Sequence, residues 1–295
     1  MSEGAGIGAA PVRRQSLWEW LSNPWAETRF LWLMGISYIV WTMIPLIDAV
    51  VFSFNKGRST TVWQGVSLRW YTGDPLGSVL HSPELQHAVV QSLRLASLTA
   101  VISVPIGVAF ALSLHRWRGR TPETANFLMM FSFVTPELIL AVSLYLLYTH
   151  SLKAVGTGTV AQLSGLVVLA LAYPVVIVRA RLLSLGDAYE EAGLDLGASP
   201  TRTLWRITLP LLGPSIFASA AIIFAFSLDD FVIVNQLATG STDQTVAMYI
   251  YASARTGGTP AANAIGTLML TTSTILIAIA FVVYRRAAKK IGDRP

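Results

Sequence analysis

The chain has 295 residues, of which 53% are hydrophobic and 13% are charged, against roughly 25% charged residues in soluble globular domains. With a mean hydropathy of +0.56, this composition excludes an ordinary soluble domain and indicates repeated burial in lipid. The chain has no cysteine and four histidines without a metal-ligand spacing, which excludes disulfides and thiolate chemistry and disfavours a histidine metal centre.

The first 29 residues precede the first apolar segment. Within them, residues 15–26 carry Leu and Trp side chains at helical spacing, which predicts a short amphipathic helix on the cytoplasmic membrane surface. Arg13 and Arg14 precede an apolar run that is longer than a signal-peptide core, and no small-x-small cleavage site follows it. We therefore expect the first apolar segment to be retained.

Six segments are long and apolar enough to cross a membrane, since a hydrocarbon core of about 30 Å needs about 20 residues of helix. They cover residues 30–54, 88–114, 124–149, 159–178, 211–237 and 262–284. These stretches exceed the strands of a membrane barrel, and unpaired backbone groups are costly in lipid, so we predict six transmembrane helices. The fold class is all-α, with a membrane domain over 30–284 and a basic tail over 285–295.

An even number of spans places both termini on one side of the membrane. Of the 21 Lys and Arg residues, fifteen fall on that side, five fall on the other, and Arg94 alone lies inside a span. The positive-inside rule then predicts cytoplasmic termini in a multi-pass protein of the inner or plasma membrane. Membrane topology explains the net charge of +5, so we predict no nucleic-acid partner.

The segment 55–87 is the one long loop on the predicted external side. It is rich in Gly, Ser, Pro, Trp and Tyr. Two interpretations remain open from the residues alone. The loop caps the external mouth or docks a partner, or it lies on the membrane with Trp63, Trp70 and Tyr71 as interfacial anchors.

The cytoplasmic segment between the fourth and fifth spans, about residues 182–210, has explicit helix boundaries. Asp187 can cap a helix that runs to Leu196, and Gly197 suits the turn that ends it. Ser199 can cap a second helix with Pro200 in its first turn. The pattern predicts a helix-turn-helix that docks a soluble partner, since a hairpin tethered at both ends to membrane spans is a poor reader of DNA.

The same segment resembles the E-A-A-x3-G-x9-I-x-L-P loop of binding-protein-dependent ABC importer permeases. The matching residues are Glu191, Ala192, Gly193, Gly197, Ile207, Leu209 and Pro210. The resemblance implies a coupling helix that sits in a groove of a separate ATPase subunit, with Glu191 facing the ATPase and Leu209–Pro210 leading back into the membrane. Gly193 stands where the family usually has Ala, at a cost of about 1 kcal/mol in helix propensity. We expect it to keep a small surface that another protein can approach.

The resemblance also implies a type I ABC importer permease fold and a set of partners. These are a sister permease, expected to form a heterodimer around a central pathway, two ATPase subunits and an extracytoplasmic solute-binding protein. None of the four lysines follows a glycine, so the G-x-x-x-x-G-K-[ST] phosphate loop is absent. We expect no enzyme activity and no cofactor in this chain, with Mg-ATP bound by the partner ATPase subunits.

Ionisable residues inside membrane spans are rare and indicate function. Four acids lie in the predicted spans: Asp48, Glu137, Asp229 and Asp230. At 1.5 Å per residue, Glu137 lies about 18 Å from the cytoplasmic face and the Asp pair about 27 Å from it. Negative charge favours a cation, so we predict Asp229, Asp230 and Glu137 on the substrate pathway. Alternatively, Asp48 sits at the interface, and Glu137 pairs with Arg94 or with backbone freed by Pro136.

The residues around these acids resemble a narrower subfamily, the second permease of spermidine/putrescine importers. The stretches are SLDDFVI at 227–233, VTPE at 134–137 leading to AVSL at 141–144, and AANAIGTL at 261–268. The likeness covers most of the chain from about residue 30. It implies that a polyamine crosses by alternating access, driven by ATP-dependent closure of the ATPase pair.

Other hypotheses stay open from the sequence. The substrate could be ferric iron, an amino acid, a sugar or another organic compound, or the protein could be a stand-alone secondary transporter, which would leave the hairpin without a role. An intramembrane aspartyl protease is disfavoured because adjacent helical residues point about 100° apart. A line of residues on the fifth span, Ser215, Ala218, Ser219 and Ile222, could pack against the sister subunit or inside the monomer.

Overall fold

The computed structural model describes residues 28–75, 77–116, 124, 127 and 134–292, with side chains omitted for 28–30 and 287–292. The predicted amphipathic helix at 15–26, most of the first half of the third predicted span and the last three residues of the tail lie outside the described residues. The chain divides into two compact units, Met1–Ala49 and Val50–Pro295.

The regular secondary structure of the described residues is helical, and these residues contain no β-strand apart from one isolated antiparallel bridge between Asn55 and Val66. The helices, numbered in chain order, are α1 (Thr28–Ser53), α2 (Pro83–Arg116), α3 (Glu137–Leu146), α4 (Thr159–Ala170), α5 (Ala172–Leu185), α6 (Ala188–Asp195), α7 (Pro200–Thr203), α8 (Leu209–Asp229), α9 (Val232–Leu237), α10 (Val246–Arg255) and α11 (Pro260–Gly292). The predicted all-α class is confirmed for this part of the chain.

Within the described residues, five helical segments are long and apolar enough to cross a membrane. They are Leu31–Ser53, Pro83–Arg116, Thr159–Leu185, Pro200–Asp229 and Pro260–Arg286, which correspond to the first, second, fourth, fifth and sixth predicted spans. For the third predicted span, the structure describes α3 and the π-helical turn Leu147–Ser151 that follows it. The third crossing therefore stays a prediction.

The apolar helix of the first unit has exposed side chains on all sides. Trp32, Tyr38 and Trp41 are each at least 69% exposed, and none of its most apolar window is buried. A helix that is hydrophobic all round needs lipid or another protein around it. This property agrees with a membrane span.

Three hydrophobic clusters hold the second unit together. The first joins α2, α5 and α8 around Val108, Val178, Leu212 and Ile223. The second joins α2, α3, α4 and α9 around Leu95, Ala141, Leu166 and Ile233. The third joins the external loop to α2, α10 and α11 around Trp70, Leu85, Val246 and Ile265. The core thus runs along the shared faces of the membrane helices and continues into the external loop.

Glycines set the distance between helices at two crossings. A Cβ at Gly107 of α2 would lie 2.2 Å from Cγ of Pro174 on α5. A Cβ at Gly165 of α4 would lie 2.6 Å from Cγ2 of Ile233 on α9. Small residues let membrane helices approach closely and gain dispersion contacts. The observed distance between the helices of each pair therefore requires glycine at Gly107 and Gly165.

The predicted external loop, residues 55–87, packs against the helices of the second unit, to which it belongs. Trp70 is 5% exposed, and its indole N–H donates to the carbonyl oxygen of Asn55 at 2.7 Å. The Tyr71 hydroxyl lies 2.7 Å from the Ser53 hydroxyl. The interpretation of Trp70 as an interfacial anchor is wrong, because this side chain is part of the core, whereas Trp63 remains 45% exposed.

Helix α10 on the predicted external side was not anticipated from the sequence. The Thr245 hydroxyl oxygen accepts the backbone N–H of Met248 at 3.4 Å and caps the helix. Gly257 and Gly258 follow its end with positive φ angles. These caps are the signals in the sequence that mark α10, since Thr is a good N-cap and Gly ends helices readily.

Candidate functional site

A helical hairpin over residues 188–208, called the hairpin below, follows α5. Gly197 adopts a φ of +80° after α6, in the left-handed region that favours glycine. The Ser199 hydroxyl oxygen accepts the Arg202 N–H at 3.4 Å, and Pro200 opens α7. The predicted helix-turn-helix is confirmed as a local structure, although the Asp187 side chain makes no capping hydrogen bond.

The second arm of the hairpin is continuous with the fifth span. Helix α7 passes through a π-helical turn, Leu204–Thr208, directly into α8. The π-helical turn keeps the backbone hydrogen-bonded up to Leu209 and Pro210, the predicted entry to the membrane. The hairpin and α8 are therefore joined by continuous helical backbone.

The residues of the coupling-loop motif divide into an outward and an inward set. Glu191, Ala192, Gly197 and Pro210 are exposed, Gly193 is buried, and Ile207 and Leu209 are half-buried. A Cβ at Gly193 would lie 2.9 Å from Cδ1 of Ile207. The expectation that Gly193 presents a surface to another protein is wrong, because its small size admits the second arm of the hairpin itself.

Large apolar side chains on the hairpin remain uncovered within the chain. Leu196 is 89% exposed and Trp205 is 72% exposed, while Tyr189 and Leu194 are each 46% exposed. Exposed apolar groups of this size on a segment that the topology predicts to lie outside the lipid indicate an interaction site. The hairpin has the composition of a docking element.

Charged side chains at the end of α2 hold the base of the hairpin. The Arg116 guanidinium donates to Oε1 of Glu190 at 2.8 Å, and the Thr208 hydroxyl donates to the same oxygen at 2.7 Å. Burial opposes ionisation of Glu190, but these hydrogen bonds and the positive charge of Arg116 lower its pKa below the ordinary value. His115 Nε2 also lies 3.2 Å from Oδ1 of Asp187. These contacts connect α2 to the first arm of the hairpin, and Glu190 links that arm to Thr208 of the second arm.

The fifth predicted span is broken at its pair of acids. Helix α8 ends at Asp229, Asp230 is extended with φ −60° and ψ 127°, and α9 starts again at Val232. Oδ1 of Asp230 accepts the backbone N–H of Val234 at 3.2 Å. The prediction of one continuous helix over 211–237 is wrong here. The short acidic side chain of Asp230 competes with the backbone for helical hydrogen bonds and accepts a backbone N–H from the first turn of the next helix.

The helix break separates the two neighbouring acids. Asp229 is exposed, whereas Asp230 is 6% exposed. Oδ2 of Asp230 has no hydrogen-bond partner in the described part of the chain, and the Glu137 carboxyl lies beside this side chain. The structure thus brings Glu137 and Asp230 together.

The other ionisable residues of the predicted spans lie apart from this pair. Asp48 and Arg94 are exposed, and across the described ranges Arg94 forms no ion pair. The alternative pairing of Glu137 with Arg94 is therefore not found. Instead, Tyr173 lies close enough to Glu137 for their side chains to interact electrostatically. The ring centroid of Tyr173 is 5.4 Å from that of Phe226. Carboxylates and aromatic rings meet here, a combination that suits an ammonium group.

A buried polar network joins helices on the predicted external side. Asp243 is 7% exposed and accepts the Thr159 hydroxyl at 3.0 Å, the Thr239 N–H at 3.2 Å and the Thr239 hydroxyl. Burial opposes ionisation of Asp243, but the hydrogen bonds from Thr239 and Thr159 lower its pKa below the ordinary value. The charge of Asp243 is thereby satisfied inside the chain.

Two glutamines extend this network into the membrane helices. Gln162 of α4 is fully buried, and its amide donates to the carbonyl oxygens of Val234 at 2.9 Å and Asp243 at 3.1 Å. Gln91 of α2 donates to the Thr159 hydroxyl at 2.9 Å and to Oε1 of Gln162 at 3.2 Å. The network of Gln91, Thr159, Gln162, Thr239 and Asp243, called the external network below, ties α2 and α4 to the segment after α9.

Comparisons with known proteins agree with this architecture. Residues 103–292 match the family described as "Binding-protein-dependent transport system inner membrane component". The chain is 32% identical over 273 residues to the putrescine transport system permease protein PotI of Escherichia coli (strain K12), covering 91% of this chain and 93% of that protein. It is 29% identical over 261 residues to the spermidine/putrescine transport system permease protein PotC of Haemophilus influenzae, covering 88% and 98%.

Solved structures share the fold at low sequence identity. A chain of a bacterial ABC transporter involved in the import of the acidic polysaccharide alginate superposes with a TM-score of 0.70 at 18% identity, covering 92% of this chain and 98% of that chain. A chain of the inward-facing MetNI methionine ABC transporter gives 0.56 at 16% identity, covering 68% and 93%. These likenesses concern the fold alone.

Proposed function

The chain belongs to the family of binding-protein-dependent transport system inner membrane components, and from this premise we propose that it moves a polyamine through an ATP-driven importer. The observation that carries the substrate class is the meeting of Glu137 and Asp230 inside the membrane protein. Relatives with 29–32% identity over most of the chain are named for putrescine and spermidine transport. An organic polycation with two or more ammonium groups is the class of substrate that both observations favour.

The chemistry of the acid site supports this choice. An ammonium group that leaves water needs acceptors in place of its hydration shell. The buried, unpartnered Oδ2 of Asp230, the Glu137 carboxyl beside it and the exposed Asp229 supply such acceptors. Because the same fold occurs in an importer of an acidic polysaccharide, the fold does not decide the substrate and the side chains of the site must do so.

We assign the coupling step to the hairpin. Its exposed residues Glu191, Ala192 and Gly197 would meet a groove of a separate ATPase subunit, together with the apolar side chain of Leu196. Leu209 and Pro210 continue this element into α8, while Gly193 and Ile207 keep its two arms in register. Closure of two ATPase subunits around Mg-ATP would then displace the hairpin and, through it, α8 and α2. This chain would bind no nucleotide itself.

The remaining assembly follows from the same proposal. Residues 30–284 form six spans, residues 1–29 and 285–295 lie in the cytoplasm, and a sister permease completes the pathway. An extracytoplasmic binding protein delivers the substrate to the external side. Exposed apolar side chains on the first helix support contact with lipid or with another subunit.

Uptake of labelled substrate by the complete transporter in vesicles tests the proposal. We expect ATP-dependent uptake of putrescine or spermidine and none of ferric iron, sugars or amino acids. Asp230→Asn should lower amine uptake about tenfold or more, because a charge-assisted hydrogen bond contributes about 1.5–3 kcal/mol. Adding Asp229→Asn should lower it further.

The matched control is Glu84→Gln, an exposed acid at the predicted external end of α2, which should leave uptake unchanged. Uptake of a solute without an amine would overturn the substrate assignment. Full amine uptake by the Asp229→Asn and Asp230→Asn double variant at limiting substrate would remove both acids from the pathway.

A further inference from the structure

A groove of about 430 Å³ opens between α5, α8 and α11. Its wall includes Ile177, Arg181 and Ser184 of α5, Ala218 and Ile222 of α8, and Tyr284 of α11. Its volume is in the range of small-molecule sites in proteins. Neither the acid pair nor the exposed hairpin residues line it, so the groove is separate from the sites assigned above.

Polar and apolar residues occupy opposite ends of the groove. Helices α5 and α11 both run toward the predicted cytoplasmic side, so Ser184 and Tyr284 lie nearer to that side than Ile177. Helix α8 runs the other way, which places Ile222 deeper than Ala218. Seven residues of helix separate Ile177 from Ser184, about 10 Å at 1.5 Å per residue. The groove is therefore polar at its cytoplasmic mouth and apolar in its depth.

Positive charge is concentrated at the polar end. Arg181 is half-buried and, among the residues that the structure describes, forms no ion pair. Arg285 and Arg286 follow Tyr284 directly and are exposed. The residues that line the groove include no acid. An anion with an apolar tail complements such a site in both charge and polarity.

We propose that this groove binds an anionic phospholipid of the cytoplasmic leaflet. The headgroup phosphate lies at Arg181, with the exposed Arg285 and Arg286 beside it, and an acyl chain follows Ala218 and Ile222 toward Ile177. Basic pockets between membrane helices on the cytoplasmic side are a recurrent way of holding acidic lipids. The inference does not depend on the identity of the transported substrate.

The depth of the groove favours a lipid over a helix of the sister permease. A transmembrane helix would need a contact face of about 30 Å, several times the span of the groove. Two serines of α8, Ser215 and Ser219, are 3% and 0% exposed inside the monomer, so they are already packed. Ser215 still lines the groove at its edge, and Ala218 and Ile222 line it beside Ser215.

Native mass spectrometry of the detergent-purified transporter, titrated with phosphatidylglycerol or phosphatidylcholine, tests the site. We expect tighter binding of phosphatidylglycerol, and a loss of about tenfold in that preference with Arg181→Gln, because a charge-assisted contact is removed. Arg206→Gln changes an exposed arginine of the hairpin outside the groove and should leave lipid binding unchanged. Equal affinity for the two lipids, or full preference in Arg181→Gln, would overturn the proposal.

Thiol labelling in vesicles identifies the occupant. Because the chain has no cysteine, Ser184→Cys introduces its single thiol at the mouth of the groove. We expect phosphatidylglycerol to slow maleimide labelling of this thiol relative to phosphatidylcholine vesicles. The control is Ser113→Cys, an exposed position near the predicted cytoplasmic end of α2, which should label equally in vesicles of either lipid. Protection of Ser184→Cys in every lipid composition would mean that another subunit fills the groove, and the proposal would fail.

Discussion

The hairpin and the external network are held in place by opposite means. Arg116 and Glu190 at the base of the hairpin are 38% and 27% exposed at their side chains, and ion pairs of this kind contribute about 0–1 kcal/mol. Asp243 in the external network is 7% exposed, and each hydrogen bond to a buried charge contributes about 1.5–3 kcal/mol. The external network fixes its segment firmly, whereas the hairpin has a base that can be rearranged at low cost.

The two regions also differ in what they leave unsatisfied. The external network contains its own donors and acceptors, so this chain completes it. The hairpin leaves Leu196 and Trp205 largely exposed, and these side chains gain stability only when another surface covers them. The comparison teaches that the hairpin is weakly fixed at its base and leaves apolar surface uncovered within this chain, whereas the external network is buried and satisfied by its own hydrogen bonds.

The largest effect should come from Glu191→Arg, which tests whether the hairpin is the docking element. The charge reversal places a cation on the exposed first turn of α6, and we expect ATP-driven uptake to fall to background because the ATPase no longer docks. Membrane insertion should stay intact, since Glu191 makes no core contact. Uptake and co-purification of the ATPase measure this. Glu84→Arg, on the predicted external side, is the control, and normal uptake by Glu191→Arg would remove the coupling role.

A smaller effect, on stability, is expected from Asp243→Asn. Loss of the carboxylate weakens the hydrogen bonds from Thr159 and Thr239, and we expect a destabilisation of about 1.5–3 kcal/mol, read as a lower midpoint of thermal unfolding in detergent. Glu84→Gln, an exposed acid, should leave the midpoint unchanged. An unaltered midpoint in Asp243→Asn would mean that the external network does not stabilise the fold.

The pH dependence of the thermal midpoint, measured for the unmodified protein and for Asp243→Asn, tests the role of the Asp243 charge. The pKa of Asp243 is lower in the folded protein than its ordinary value, so its stabilisation is complete above the unfolded pKa of about 4. It is lost as the pH falls through the folded value. The thermal midpoint of the unmodified protein should therefore fall more steeply in acid than that of Asp243→Asn. Parallel curves for the two proteins would contradict the assignment.

The smallest change in stability should follow removal of the ion pair at the base of the hairpin. Arg116→Gln and Glu190→Gln should each cost less than about 1 kcal/mol in unfolding free energy, yet lower substrate uptake per ATP hydrolysed, because α2 is uncoupled from the hairpin. A double-mutant cycle separates the pair from its surroundings. Unchanged uptake per ATP in both variants would show that the pair does not transmit the movement.

Hydropathy and helix-capping residues predict the parts of the fold that depend only on neighbouring residues in the sequence. Five predicted spans recur as long apolar helices, because burial in lipid demands an unbroken apolar stretch of fixed length. The hairpin could be predicted because Gly197 and Ser199 each act on their immediate neighbours. Fewer local signals mark α10, although Thr245 and the paired glycines after the helix point to it.

The remaining features depend on contacts between distant residues. Arg116 and Glu190 are 74 positions apart, and Gln91 and Gln162 are 71 apart, so only the fold brings them together. The helix break at Asp230 reflects competition between a side chain and the backbone, which apolar periodicity does not reveal. The burial of Gly193 likewise follows from its packing against Ile207. A glycine at this position of the motif, taken alone, predicted an exposed surface.

The close crossing of Gly107 and Pro174 gives α2 and α5 a common fulcrum. Cγ of Pro174 occupies space that is open only because Gly107 has no side chain, so a sliding motion would drive this atom against neighbouring side chains of α2, whereas a tilt about the point keeps the contact. From this fulcrum to the base of the hairpin the two helices extend about 14–16 Å at 1.5 Å per residue. Because the two helices have nearly equal lengths beyond the crossing, a small rotation there would displace the hairpin-side ends of α2 and α5 by similar distances.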